Sequence, residues 1–272
     1  MLQVFRAPPG LRAWVDGAVR IELPAGRAPS RFPATPHAML TWRRPATGHA
    51  DAGPITFHTL STTPTVHPHD GPTVAMGLLV RPAAAACLLG ASAGVRVDEM
   101  LPWALVAGAA EAARTEELLQ RAADDGLRLQ ALMASLARTL NRASPEREPA
   151  IAQLCQQVGL RGAAAAADLG IGARQLQRRV QATLGLTPKQ YQRLVRFHVA
   201  LGQAVVAPRQ PGVELALGAG FYDQSHFGRD LRQLAGQPLA QLRQGAQPGA
   251  AWWALAPRRL ISAGRAPVLA LA

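Results

Sequence analysis

The stretch Gly220-Phe221-Tyr222-Asp223-Gln224-Ser225-His226-Phe227-Gly228-Arg229-Asp230-Leu231 constrains the fold more than any other part of the chain. It follows an Ala/Leu-rich helical run, so Gly220 can supply the positive φ of a tight interhelical turn while Phe221 drops into a core. Asp223 stands where a new helix needs a side-chain cap. Beyond it Phe227, Leu231 and Leu234 recur at intervals of four and three, which makes one buried stripe. The opposite face is polar and cationic. Gln224, Ser225, His226 and Arg229 lie around its first two turns, and side chains of these types hydrogen-bond base edges in a major groove.

A second unit of the same kind lies upstream. After a short amphipathic helix over Ile151–Val158, stopped by Gly159, an Ala-rich helix over Arg161–Leu169 leads to the turn Gly170-Ile171-Gly172 and to Ala173-Arg174-Gln175-Leu176-Gln177-Arg178-Arg179-Val180. Leu176 and Val180 are four apart and point inward, which leaves Arg174, Gln177 and Arg178 outside. Arginine is the usual bidentate partner of guanine, and glutamine of adenine. Between the two units, Thr187-Pro188-Lys189-Gln190 has the form of a capping box with proline in the first turn. That start predicts a long helix to about Val205, with Tyr191, Leu194, Val195 and His198 on one face and Lys189, Arg193 and Arg196 on another. Pro208-Arg209-Gln210-Pro211-Gly212 breaks it, and Val213–Ala219 supports the second recognition helix.

The Gly220–Leu231 stretch, continued by Gly236-Gln237-Pro238-Leu239, closely resembles the second helix-turn-helix of AraC/XylS-type transcriptional regulators, with Leu231 where phenylalanine is usual. The resemblance covers about the last 120 residues before the tail. It implies a pair of helix-turn-helix units held by the connecting helix, with recognition helices in successive major grooves about 34 Å apart. It also implies base contacts at Arg174, Gln177 and Arg178. Two departures are Gly172, where Ser or Thr commonly caps the helix, and Tyr222, where serine is common.

Residues 1–82 are rich in Pro and Gly and carry short strand-like runs over 13–23, 38–43, 54–60 and 73–80. Short strands between turn signals predict a small antiparallel β barrel or sandwich. Helices are expected over 83–89, 102–113, 115–123 and 127–140. In the last, Leu129, Leu132, Met133, Leu136 and Leu140 form a stripe that could close a core or serve a homodimer. The segments Arg31–Thr41 and Leu79–Pro82 resemble a regulatory domain family placed ahead of such DNA-binding modules. The expected fold class is therefore α+β: an N-terminal regulatory domain over 1–143 with trailing helices, a linker over 144–149, an all-α DNA-binding domain over 150–246 and an extension over 247–272.

Charge agrees with a polyanion partner. Residues 145–272 carry 15 Arg/Lys against 6 Asp/Glu, whereas residues 1–144 carry 14 against 11; phosphate neutralisation with counterion release supplies most non-specific affinity. The competing explanation is an arginine-rich composition, since Lys189 is the only lysine. Double-stranded DNA is the expected partner, with an N-terminal small-molecule effector second. Cys87 and Cys155 have no ligand-like spacing, and neither a signal sequence nor a membrane span is legible, so a cytoplasmic protein without a cofactor is expected. His67-Pro68-His69-Asp70, joined by His37 and His58, is weighed as a metal site and set below exposed turn histidines. Asp124-Asp125 reads as a solvated helix end. No catalytic motif supports an enzyme. The alternative function is a ligand- or metal-binding sensor with weak or non-specific DNA binding.

Overall fold

The structure, a computed structural model, describes residues 2–23, 30–46, 53–67, 71–143, 145–207 and 209–245. The N-terminal part is built on β1 (Leu2–Arg6), β2 (Val15–Leu23), β4 (Ala38–Pro45), β5 (Thr56–His58), β7 (Thr73–Val80) and β8 (Met100–Pro102), in the order β1-β2-β7-β4-β5-β8 with every neighbour antiparallel. A two-stranded ribbon, β3 (Ser30–Phe32) with β6 (Thr65–His67), stands apart from this sheet. The four strand-like runs of the sequence thus contain β2, β4, β5 and β7, the third of them reduced to three residues. The five-residue β1 and the three-residue β3, β6 and β8 fall outside those runs.

Period-two alternation gives the sheet two faces. Leu40, Trp42, Phe57 and Leu78 share one core with Leu129, Leu132, Met133 and Leu136 of α4 (Asp125–Arg142). The stripe on α4 therefore closes the N-terminal core and is not left over for a homodimer. The other face carries Val19, Ile21, Leu23 and Met39, with Phe32 of the ribbon packed against them. Preceding α4 are α1 (Pro82–Leu89), a 3-10 segment Gly90–Val95, α2 (Trp103–Ala107) and α3 (Ala109–Arg121). The helix expected over 102–113 is divided at Gly108, whose φ of 88° ends α2 and starts α3.

A buried polar cluster joins these helices. Trp103 Nε1 donates to Ser135 Oγ at 3.0 Å, Ser135 donates to Glu111 at 2.8 Å, and Arg138 of α4 donates to the same carboxylate at 2.7 Å. Burial alone would raise the Glu111 pKa, but the hydrogen bonds from Arg138, Ser135 and Thr115 hold it below the usual carboxylate value. At the start of α4, Asp124 is the exposed helix end read from the sequence, whereas the same reading is corrected for Asp125, which is half-buried among arginines. Asp124 accepts from the Leu127 N–H at 2.8 Å as the helix cap, and Asp125 gathers Arg20, Arg44 and Arg128 at 2.5, 3.2 and 2.9 Å.

The C-terminal part comprises α5 (Glu148–Arg161), α6 (Ala165–Asp168), α7 (Ala173–Leu184), α8 (Pro188–Val206), α9 (Gly212–Gly218), α10 (Gln224–Ala235) and α11 (Leu239–Gly245). Contrary to expectation, Gly159 does not stop α5, which runs to Arg161 and ends at Gly162 with φ 56°. Gly159 serves packing instead: a Cβ there would lie 3.4 Å from Val195 of α8. The supporting helix expected over 161–169 is correspondingly shorter, a 3-10 turn over 162–164 followed by α6. The core of this part centres on Tyr191, Leu194 and Phe197 of α8 and also takes in Ala34 and Leu60 from the N-terminal part.

Replacing Glu111 with Ala leaves Arg138 and the Ser135 hydroxyl without their carboxylate acceptor, so urea melts should show a loss of roughly 3 kcal/mol, the scale of a buried pair broken from one side.

Candidate nucleic-acid interface

The first recognition helix, α7, begins at Gly172, which has extended backbone and no side chain to cap with, so only the helical bond from the Leu176 N–H to the Gly172 carbonyl marks its start. Leu176, Val180 and Leu184 are buried, and Arg174, Gln177 and Arg178 are exposed. Gly185 closes the helix in the left-handed region with φ 68°.

In the second unit Gly220 has φ 79°, as a tight turn requires, and Phe221 is buried behind it. Asp223 caps α10 by accepting from the His226 N–H at 2.6 Å, which confirms the register read from the sequence. Phe227, Leu231 and Leu234 are buried; Gln224, Ser225 and Arg229 are exposed. His226 is half-buried with its ring edge-on to Phe221 at 5.4 Å, so part of its role is to pack the turn. Tyr222 is 88% exposed beside the cap. Nothing in the pattern of apolar spacing had singled it out, because a residue between core and cap has no periodic signature.

The helix α8 carries both units. Thr187 and Gln190 complete the expected capping box, with the Gln190 N–H donating to Thr187 Oγ1 at 3.2 Å and the Thr187 N–H to Gln190 Oε1 at 2.9 Å. Arg193 donates to Asp230 at 2.8 Å and to Gln233 at 2.6 Å, both on α10. Arg196 donates to the Gly220 carbonyl at 3.0 Å and sits 5.3 Å above the Phe221 ring. These two arginines, which composition alone would assign to phosphates, lock the second recognition helix to α8.

A cavity of about 460 Å³ lies on the open face of the N-terminal sheet, under the β3–β6 ribbon. Val19, Ile21, Met39 and Phe32 give it apolar walls, and Thr41, Arg43, His58 and His67 provide polar points. His58 Nε2 lies 2.9 Å from Thr41 Oγ1 and 3.2 Å from Thr56 Oγ1. Burial, then His67 and Arg43, push its pKa down to about 4. The reading as exposed turn histidines is corrected for both: His58 on β5 and His67 on β6 line the cavity. His37 also lines the cavity, but it is buried and its Nε2 is paired with Asp16 at 2.9 Å. His69 and Asp70, like Trp252 and Trp253 of the tail, lie outside the described residues. Among the described residues no cluster of three or more His, Cys, Asp or Glu could hold a metal, and no helix is long and apolar enough to cross a membrane. Cys87 and Cys155 are buried thiols, and burial pushes Cys155 up to about 12, which excludes a reactive thiolate there.

Residues 165–245 match the family model of a helix-turn-helix domain, and this module is of the AraC type. No match was found among curated proteins. Similar solved structures include ToxT from Vibrio cholerae in a 1.65 Å form, at 10% identity, a TM-score of 0.49 and coverage of 84% of this chain and 97% of that one. Others are ToxT bound to an unsaturated fatty acid, at 8% identity, a TM-score of 0.46 and coverage of 82% and 93%, and ToxT bound to (E)-4-(8-methylnaphthalen-1-yl)but-3-enoic acid, at 10% identity, a TM-score of 0.48 and coverage of 93% and 99%.

Two outcomes follow from these contacts. Arg193→Ala strands the buried Asp230 carboxylate, so it should destabilise the protein by about 3 kcal/mol in denaturant melts and weaken DNA binding without changing the preferred sequence. Because the unfolded state takes up a proton at His58 before the folded state does, wild-type stability should fall as pH drops from 6.5 to about 4. A His58→Leu variant should lack that component in thermal melts across the same range.

Proposed function

We propose that the chain is a sequence-specific transcriptional regulator whose helices α7 and α10 enter successive major grooves on one side of the duplex. The observation that carries this reading is the mounting of both helices on α8, with their polar faces exposed. At 19 residues α8 is about 28 Å long, of the order of one turn of B-DNA. Arg174, Gln177 and Arg178 read one groove segment; Gln224, Ser225 and Arg229 read the next, with His226 shared between the groove and the turn. The mechanism is non-covalent, and no residue is assigned a catalytic role. Residues 1–143 act as the regulatory domain and 150–246 as the DNA-binding domain.

The cavity is the effector site of this reading. With His58 neutral, Arg43 is the cation of a lining that also contains Asp98 and Glu99, with Asp98 already accepting from Thr62 and Thr63 and Glu99 paired with Arg96, which suits a small, largely apolar molecule bearing one hydrogen-bonding group.

Arg178→Ala and Arg229→Ala separate the two halves. Each should cost roughly 1–3 kcal/mol of binding and relax sequence preference in one half-site only, measured by anisotropy against the preferred duplex and its half-site mutants. An Arg178→Ala protein with unaltered affinity and preference contradicts the assignment of α7.

A further inference from the structure

The reading face of α7 is not free along its whole length. The 3-10 segment Gly90–Val95 of the N-terminal part lies against its C-terminal half, and the closest approach is at Gly94. A Cβ on Gly94 would stand 2.6 Å from the Gln181 carbonyl oxygen and 2.9 Å from that of Ala182, so the two backbones touch with no side chain between them. At the end of the helix a Cβ on Gly185 would stand 3.0 Å from the Gly94 carbonyl and would overlap the Val97 side chain. Residues 174, 178, 181 and 185 follow one another at four, three and four, so this contact continues the stripe that carries Arg174 and Arg178. Those arginines and Gln177 form one wall of a cleft whose other wall is Ala91, Gly94 and Val95.

We infer that the segment Gly94–Val97 is an autoinhibitory clamp, which holds α7 in a state that cannot seat fully in a major groove and must release it for specific binding. The inference rests on the reading that α7 enters a groove. A helix with its side chains is about 10–12 Å across and the groove is about 12 Å wide, so a seated helix leaves no room for a second chain along its inward stripe. The composition of the segment argues against the opposite role, a supplementary phosphate contact. Gly90-Ala91-Ser92-Ala93-Gly94-Val95 contains no cation, and the next residue, Arg96, is paired with Glu99 at 2.8 Å.

The clamp is continuous with the wall of the N-terminal cavity. Asp98, Glu99 and Met100 line that cavity. Asp98 holds a left-handed backbone with φ 59°, and its carboxylate accepts from the N–H groups of Thr62 at 2.7 Å and Thr63 at 3.2 Å. The Thr59 N–H donates to the Glu99 carbonyl at 3.0 Å. A ligand that displaces this wall moves residues only a few positions from Gly94, so occupation of the cavity and release of α7 are linked, and by linkage each biases the other.

The test uses the full chain and a random-sequence duplex pool in anisotropy titrations, with hydrogen exchange of residues 181–185 followed in parallel. Gly94→Ala inserts a methyl group into the contact and leaves every proposed DNA-reading side chain intact; it should speed exchange at 181–185 and tighten binding by about tenfold, within the usual range of coupling between sites. Val97→Ala loosens the same contact by removing atoms and should act in the same direction, which keeps the test decisive if Gly94→Ala does not fold. Faster exchange with unchanged or weaker binding overturns the clamp, as does unchanged exchange and binding in both variants. Arg178→Ala in the same titrations separates the two claims. If it binds as the wild type does, the placement of α7 in the groove fails; if it binds more weakly while Gly94→Ala binds no more tightly, only the clamp fails.

Discussion

Asp230 sits on the second recognition helix with its side chain only 5% exposed, and its counter-charge is Arg193 on α8. A carboxylate this buried is costly unless it is paired, so the helix is held in the one orientation that keeps the pair made. The 12-residue recognition helices α7 and α10 are too short to be stable alone, and their geometry is borrowed from what they pack on. For α7 that support is the apolar seam of Leu176, Val180 and Leu184 in the core shared with Tyr191 and Leu194. For α10 it is Phe227, Leu231 and Leu234, the Arg193–Asp230 pair, and the Arg196 contact with the Gly220 turn. Both short helices are thus positioned by their contacts with α8, on which the proposed reading of two groove segments depends.

The N-terminal sheet divides its labour between its two faces. One is filled by α4 and the Glu111 cluster, which makes it a stable platform. The other encloses the cavity, and its rim is where the two parts of the chain meet. The Ala34 N–H donates to the Leu234 carbonyl at 2.7 Å at the end of α10, and the His37 and His198 rings lie 4.9 Å apart. The cavity wall thus meets the C-terminal part at His37, against His198 of α8, while Ala34, between the wall residues Pro33 and Thr35, touches α10, and Gly94, four residues before Asp98 of the wall, touches α7. A protein arranged in this way has a physical route from an occupied cavity to an altered DNA-reading surface.

Much of the helical half was legible in the sequence because helices announce themselves locally. The Thr187–Gln190 capping box, the Asp223 cap, the Gly220 turn and the four-and-three spacing of Phe227, Leu231 and Leu234 each follow from residues a few positions apart. Gly159 misled because a glycine at a helix end and a glycine at a helix–helix contact look the same in sequence; only the approach of Val195 distinguishes them. Asp125 misled for the same reason, since its partners Arg20 and Arg44 are remote in the chain. The short strands β3, β6 and β8 were invisible to alternation. His67 could not be placed without β6, and the approach of His58 to it follows only from the fold. The exposed polar residues of α7 and α10 could be named from periodicity, but the contact of Gly94 with Gln181 and Ala182 is between backbones and leaves no trace in residue type.

The most direct test of the account is selection of bound duplexes from a randomised library at two salt concentrations, with sequencing of what is retained. Two working recognition helices on one strut predict a bipartite motif with centres about one helical turn apart, retained at the higher salt. Retention that collapses with salt and enriches no sequence would contradict it, leaving only phosphate attraction to explain the binding.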